Sequence, residues 1–239
     1  LNIENNLLKM KNVVSVFPKI VDPEYIYIIP NISIKYSENE LLSSASSLRT
    51  NIMQSIFIFN QDNLSNFNKN FYTSELIDKI LDIDPAIKSC NIEILCKKYV
   101  KPSLNRKFTY VIDFQNQLQK LKDKEYYMET SLFQTNDVTE NFAVKQYTPA
   151  FIRDNSFGTL IKYKRTVDQT LITLNKNQGF MDYSTGKITL SNLEVYPEEL
   201  NLNVPFSIVV RPRDSDFISK TNLILEIETS SVNIEMQKI

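Results

Sequence analysis

The chain has 239 residues, 42% of them hydrophobic and 23% charged, with a net charge of −1 and neither His nor Trp. Without His, Ser-His-Asp and Cys-His catalysis are excluded within this chain. Its three glycines, Gly158, Gly179 and Gly186, cannot build a GxGxxG or a phosphate-binding loop. Neither half carries a strong excess of one charge, so steering to nucleic acid is not expected. No apolar run approaches the ~18 residues that membrane insertion by a helix requires. The composition suggests no cofactor and no metal site.

In chain order, Ile3, Leu7, Leu8 and Met10 fit the tail of an amphipathic helix, and an apolar stretch follows at residues 13–17. The chain opens without Met or a signal-type leader, and is read as the C-terminal or an internal piece of a longer protein. Residues 25–36 are β-branched and aromatic throughout and predict a long strand, in which Pro30 marks an edge position or a bulge. Ser37, Glu38 and Asn39 offer N-cap chemistry. Leu41, Ala45, Leu48, Ile52, Ile56 and Phe59 then recur at spacings of three and four, a single apolar stripe on a helix of about five turns.

The Asn-rich residues 60–70 break that helix. Thr73 or Ser74 caps a second one, with Leu76, Ile77, Ile80 and Leu81 as its buried face, and Asp84-Pro85 ends it. Residues 87–100 read as a second strand. Cys90 and Cys96 lie six residues apart on it, roughly 20 Å in an extended chain, whereas a disulfide needs Cα atoms within about 7 Å. Both are read as free buried thiols.

Near Lys101 the character changes. Phe108, Tyr110, Ile112 and Phe114 alternate over a short strand. Residues 116–150 are polar and poorly periodic, an irregular excursion of the kind that reaches toward a partner. Short β segments recur at 160–163, 170–174, 187–193, 206–210, 223–227 and 232–236. The expected fold class is α+β: a helix-strand-helix-helix-strand module over residues 1–102, then a small antiparallel β-rich domain over 103–239. Two strands make a thin sheet, so further strands must come from upstream sequence or from the second half.

Few constellations carry chemistry. Asp182, Ser184, Thr185 and Gly186 are explained by a hairpin turn, with Gly186 at positive φ. Arg211, Arg213, Asp214 and Asp216 crowd into six residues; a carboxylate pair could act in hydrolysis or hold Ca²⁺, but a charged connection whose ions neutralise one another is simpler. Asp78, Asp82 and Asp84 read as a solvated helix end. Phe57, Phe59, Phe67, Phe71 and Tyr72 surround the loop between the helices, and serve either core packing or a subunit interface. The 25 Asn, and Lys far in excess of Arg, fit an AT-rich genome more than any function.

The segment Pro18, Ile20, Pro23, Tyr25 and Ile28 resembles a passage of the baseplate wedge proteins of T-even-type contractile-tailed phages, within the baseplate J-like family. The long helix, the aromatic residues 67–72 and the Asp82-to-Ser89 step into a strand follow in that family's order. The turn at 179–188 and the stretch 210–218 are more loosely similar, and the resemblance is to the C-terminal portion of the wedge chain.

The resemblance implies a non-enzymatic virion component of the tail baseplate, assembled in the host cytoplasm, and it carries over no catalytic residues. It implies that two copies pair with each other and with other wedge and tail proteins, and that wedges join into a ring around the tail tube which dilates on sheath contraction. The interface candidates are then Phe57, Phe59, Phe67, Phe71 and Tyr72. A carbohydrate- or receptor-binding tail module and a hydrolase built on Asp214 and Asp216 are the alternatives.

Overall fold

The computed structural model describes residues 22–120, 126–136, 147–197, 204–219 and 222–239. The helix expected at residues 3–10, the apolar stretch at 13–17 and the first residues of the wedge-like passage lie outside these.

The first strand, β1 (Glu24–Tyr36), turns Ile26, Ile28, Ile32 and Ile34 into the core, all essentially inaccessible. A short 3-10 turn follows at Glu38–Glu40, and then helix α1 (Ala45–Asn63). The cap sits later than the sequence suggests. Ser44, not the residues at 37–39, accepts the Ser47 N–H at 3.2 Å. Leu48, Ile52, Ile56 and Phe59 form the buried stripe, whereas Ala45 is exposed. Each of these large side chains contributes about 1.5–3 kcal/mol on burial.

Helix α2 (Thr73–Leu81) buries Leu76 and Ile80 and ends before Asp84. Asp84 is a buried turn residue rather than part of a solvated end: its carboxylate accepts the Ala86 N–H at 2.8 Å and the Leu42 N–H at 3.4 Å. Strand β2 (Ile87–Val100) then runs antiparallel to β1, from Tyr36 opposite Ile87 to Tyr27 opposite Lys97.

Apart from loops and one 3-10 turn, the remaining described residues form strands: β3 (Lys107–Asp113), β4 (Met128–Thr130), β5 (Phe133–Asn136), β6 (Tyr147–Asp154), β7 (Thr159–Arg165), β8 (Leu171–Asp182), β9 (Lys187–Glu194), β10 (Phe206–Val210), β11 (Leu223–Ile227) and β12 (Asn233–Lys238). Among the described residues there are two α-helices and one sheet of 12 strands, in the order β11-β1-β2-β10-β4-β6-β7-β8-β9-β3, with β12 beside β1 and β5 beside β6.

This corrects the α+β expectation of a helix-strand-helix-helix-strand module followed by a small antiparallel domain. The fold is mainly β. The late strands do not stay with their neighbours in sequence. β10 inserts between β2 and β4, and β11 and β12 run parallel to β1 on its other side. The thin two-stranded sheet is thus completed from the second half of the chain. Sequence periodicity reports which face of a strand is apolar, but not which strand lies alongside it.

Pro30 shows how the register was built. It lies in the interior of the sheet, yet β11 pairs with β1 only as far as Ile28, and β12 begins opposite Asn31. Between them the chain leaves the ladder through a 3-10 turn at Thr229–Ser231. Pro30 therefore falls in the interruption, where a residue without an N–H interrupts no ladder with β11 or β12.

Candidate protein–protein interface

The aromatic residues around the loop between the helices divide into two sets. Phe59 and Phe71 are core: their rings meet edge to face at 6.2 Å and 88°. Phe57 and Phe67 are 48% and 52% exposed, with Ile58 beside them at 47%. Tyr72 is half-buried, and its hydroxyl accepts from the Asn70 side chain at 3.1 Å. The i, i+3 and i+4 geometry of a helix separates them, because Ile52, Ile56 and Phe59 point to the sheet while Phe57 and Ile58 point away.

The loop after α1 is a clamp on the sheet as well as a helix breaker. Asn60 is buried and accepts the Ile227 N–H at 2.6 Å. The Ser65 N–H donates to the Leu225 carbonyl at 2.9 Å, and Phe67 bridges Ile224. Together they cover the outer edge of β11. Arg49 of α1 does the same for β12, donating to the Ile234 carbonyl at 2.7 Å.

The charged run at 211–216 is tied down by other partners than its own. Arg211 pairs with Glu93 at 3.1 Å, and Arg213 donates to the Gln117 side chain at 2.8 Å. Asp216 accepts the Thr73 N–H at 2.9 Å, while the Thr73 hydroxyl donates to the Ser215 carbonyl at 2.5 Å. Asp216 thus satisfies an orphan donor at the start of α2, a long-range cap that the sequence does not reveal. Phe71 and Phe217 exchange two backbone hydrogen bonds next to it, at 2.9 and 2.8 Å. The structure brings these residues together to fasten a helix to the sheet, and gives Asp214 no share in that arrangement.

Two polar centres escaped the sequence reading. Asp154 is buried and accepts the Tyr127 and Met128 N–H groups at 2.8 Å each, Ser156 N–H at 3.0 Å and the Tyr183 hydroxyl at 2.9 Å. Burial, then the Asp154 charge, raises the Tyr183 phenol well above its ordinary range. Glu228 receives Lys97, Tyr99 and Ser231, each at 2.5 Å. Burial alone would raise the Glu228 carboxyl, but hydrogen bonds from Lys97, Ser231 and Tyr99 outweigh it and hold the carboxyl below its usual value. A lone Asp at the end of a strand, or a lone Glu just past one, carries no pattern that foretells such convergence.

At the hairpin between β8 and β9, Asp182 accepts from Ser184 N–H at 2.9 Å, the Ser184 hydroxyl at 2.6 Å and the Thr185 hydroxyl at 2.7 Å. The hydroxyl bonds lead in lowering its carboxyl to about 2. Gly186 has φ +77°, and a Cβ there would lie 2.1 Å from the Asn116 carbonyl oxygen. On β2, both thiols are free; burial pushes Cys90 up to about 11 and Cys96 higher still. Among the described residues no group of His, Cys, Asp or Glu is arranged to hold a metal, and no helix is long and apolar enough to cross a membrane.

Residues 24–98 match the family described as baseplate structural protein gp6, C-terminal domain III. These residues are similar to a baseplate wedge segment. The matched residues coincide with the β1–α1–α2–β2 unit, almost strand end to strand end. The baseplate wedge protein gp6 of Enterobacteria phage T4 is 28% identical over 82 residues, covering 34% of this chain and 12% of that protein. The chain therefore spans well under two thirds of the relative it matches. The family and the phage T4 relative are both described as baseplate proteins, which supports the resemblance read from the sequence. The turn at 179–188 and the stretch 210–218 lie outside the matched family residues.

Proposed function

We propose that this chain is a non-enzymatic building block of a tail baseplate wedge, pairing with a second copy of itself and with other wedge and tail proteins to build the ring around the tail tube. The observation that carries this reading is the coincidence of the family match with a β1–α1–α2–β2 unit that leaves Phe57, Ile58 and Phe67 uncovered on its helical side. Exposed aromatic groups beside a well-packed support are the composition of interface hot spots. In this reading Phe57 and Phe67 make the contact, Tyr72 lies at its margin, and Phe59 and Phe71 hold the platform from beneath.

Size-exclusion chromatography with light scattering tests it. The chain is expected to self-associate in the micromolar range, and the double variant Phe57→Ser, Phe67→Ser to run as a monomer with an unchanged circular dichroism spectrum. A wild-type chain that stays monomeric at about 100 μM and binds no other wedge protein would overturn the proposal.

A further inference from the structure

The two ends of the sheet are finished differently. At one end Asn60, Ser65 and Arg49 occupy backbone groups on the outer edges of β11 and β12. At the other end β3 pairs with β9 along one side only, and among the described residues no strand lies along its second side. That open side borders a groove of about 560 Å³ whose far wall is the start of β1 and the end of β2. A bare edge of this kind is a template for a further strand, and natural proteins usually blunt it. Here the chain covers one end of its sheet with a helix and its loop, whereas on β3 a single lysine, Lys98, takes the Asp113 carbonyl at the strand's end.

The walls of the groove are shaped for a polypeptide. On the far wall Tyr25 and Tyr27 stack at 6.0 Å and Tyr27 meets Tyr99 at 5.3 Å; on β3 itself Phe108 lies 4.9 Å from Tyr110. Its base is braced by Lys98, which donates to the Asp113 carbonyl at 2.7 Å and pairs with Glu24 at 2.9 Å. The Glu24 carboxylate is thereby engaged, and that of Asp113 is engaged by the Gln115 N–H at 2.7 Å. The cations at the mouth are not: Lys101 lines it, Arg106 lies over the Phe108 ring at 5.9 Å, and Lys107 opens β3. Among the described residues none of the three has a carboxylate partner.

We infer that the open edge of β3 receives an extended, acidic segment of a partner protein, which adds to the sheet as a further strand. Its backbone bonds to β3, its apolar side chains rest on the tyrosine wall, and its carboxylates meet Lys101, Arg106 and Lys107. A single-stranded nucleic acid would also find aromatic faces and cations here. It would gain nothing from the strand edge, because its backbone offers no alternating N–H and C=O groups to β3.

The test is fluorescence anisotropy on the full chain with a labelled decapeptide of alternating Glu and Val. Binding is expected, weakened about tenfold or more when alternate peptide nitrogens are methylated, because the strand bonds are then lost. The double variant Lys101→Glu, Arg106→Glu is expected to weaken binding by about tenfold or more, with its melting temperature and self-association unchanged. Equal binding of the methylated peptide, tighter binding of an oligothymidylate, or no binding of the decapeptide would each overturn the proposal. Because self-association through Phe57 and Phe67 is read separately, failure here leaves the pairing proposal intact.

Discussion

The β1–α1–α2–β2 unit and the β6–β9 meander hold themselves together by different means. In the first, two helices lay Leu48, Ile52, Ile56, Leu76 and Ile80 over the isoleucines of β1 and β2, so the core is mainly aliphatic with a buried Phe59–Phe71 pair within it. In the second there are no helices among the described residues, and a buried carboxylate, Asp154, gathers four donors between β4, β6 and the β8–β9 turn. The helical unit tolerates no loss of volume, and the meander tolerates no loss of an acceptor. The difference teaches where each region is vulnerable, and the matched family segment is the one that carries the helices.

The comparison breaks most sharply at its two centres. Phe71→Ala empties a fully buried site and is expected to cost about 3–5 kcal/mol in urea unfolding. Asp154→Ala leaves buried donors without an acceptor, and a loss of roughly 3 kcal/mol is expected in the same measurement. Because β10 joins the two regions in one sheet, both variants are expected to shift a single cooperative transition. Two separate transitions would show that the regions unfold independently.

Smaller effects sharpen the same contrast. Gly186→Ala meets both a positive φ and the Asn116 carbonyl, so a loss of about 1–3 kcal/mol is expected, located by hydrogen exchange in the β8–β9 turn. Thiol reactivity separates the two ends of the buried face of β2: at neutral pH, Cys90 is expected to react slowly with a thiol reagent, and Cys96 only after unfolding.

The pH dependence is the mildest effect. The Glu228 and Asp182 carboxyls are lowered in the fold, so their contribution is full above their unfolded values near pH 4 and fades as the pH falls below that. Thermal melts from pH 5 down to 2 are expected to decline, and Glu228→Gln to flatten the decline.

Much of the first region was legible. Residues 25–36 and 87–100 read as strands and form β1 and β2, because β-branched alternation is a local signal. The stripe from Leu48 to Phe59 was read correctly, while the cap moved to Ser44, since several serines offered the same chemistry. The aromatic residues around the loop between the helices read as one group in the sequence, and the structure divides them into buried and exposed rings. Phe57 and Phe59 look alike in sequence, and only their angle around the helix axis separates an exposed ring from a buried one.

By itself, the sequence determined the absence of histidine chemistry, the apolar faces of the long strands and main helix, and a wedge-like passage that the family match over residues 24–98 bears out. Tertiary structure decided what those elements belong to. It placed β10, β11 and β12 beside strands over a hundred residues away, turned Asp216 into a helix cap, and set Pro30 in a gap between two parallel partners. The physical reason is that periodicity encodes one residue's exposure, whereas strand order, and with it the mainly β fold, depends on which distant backbone satisfies each edge.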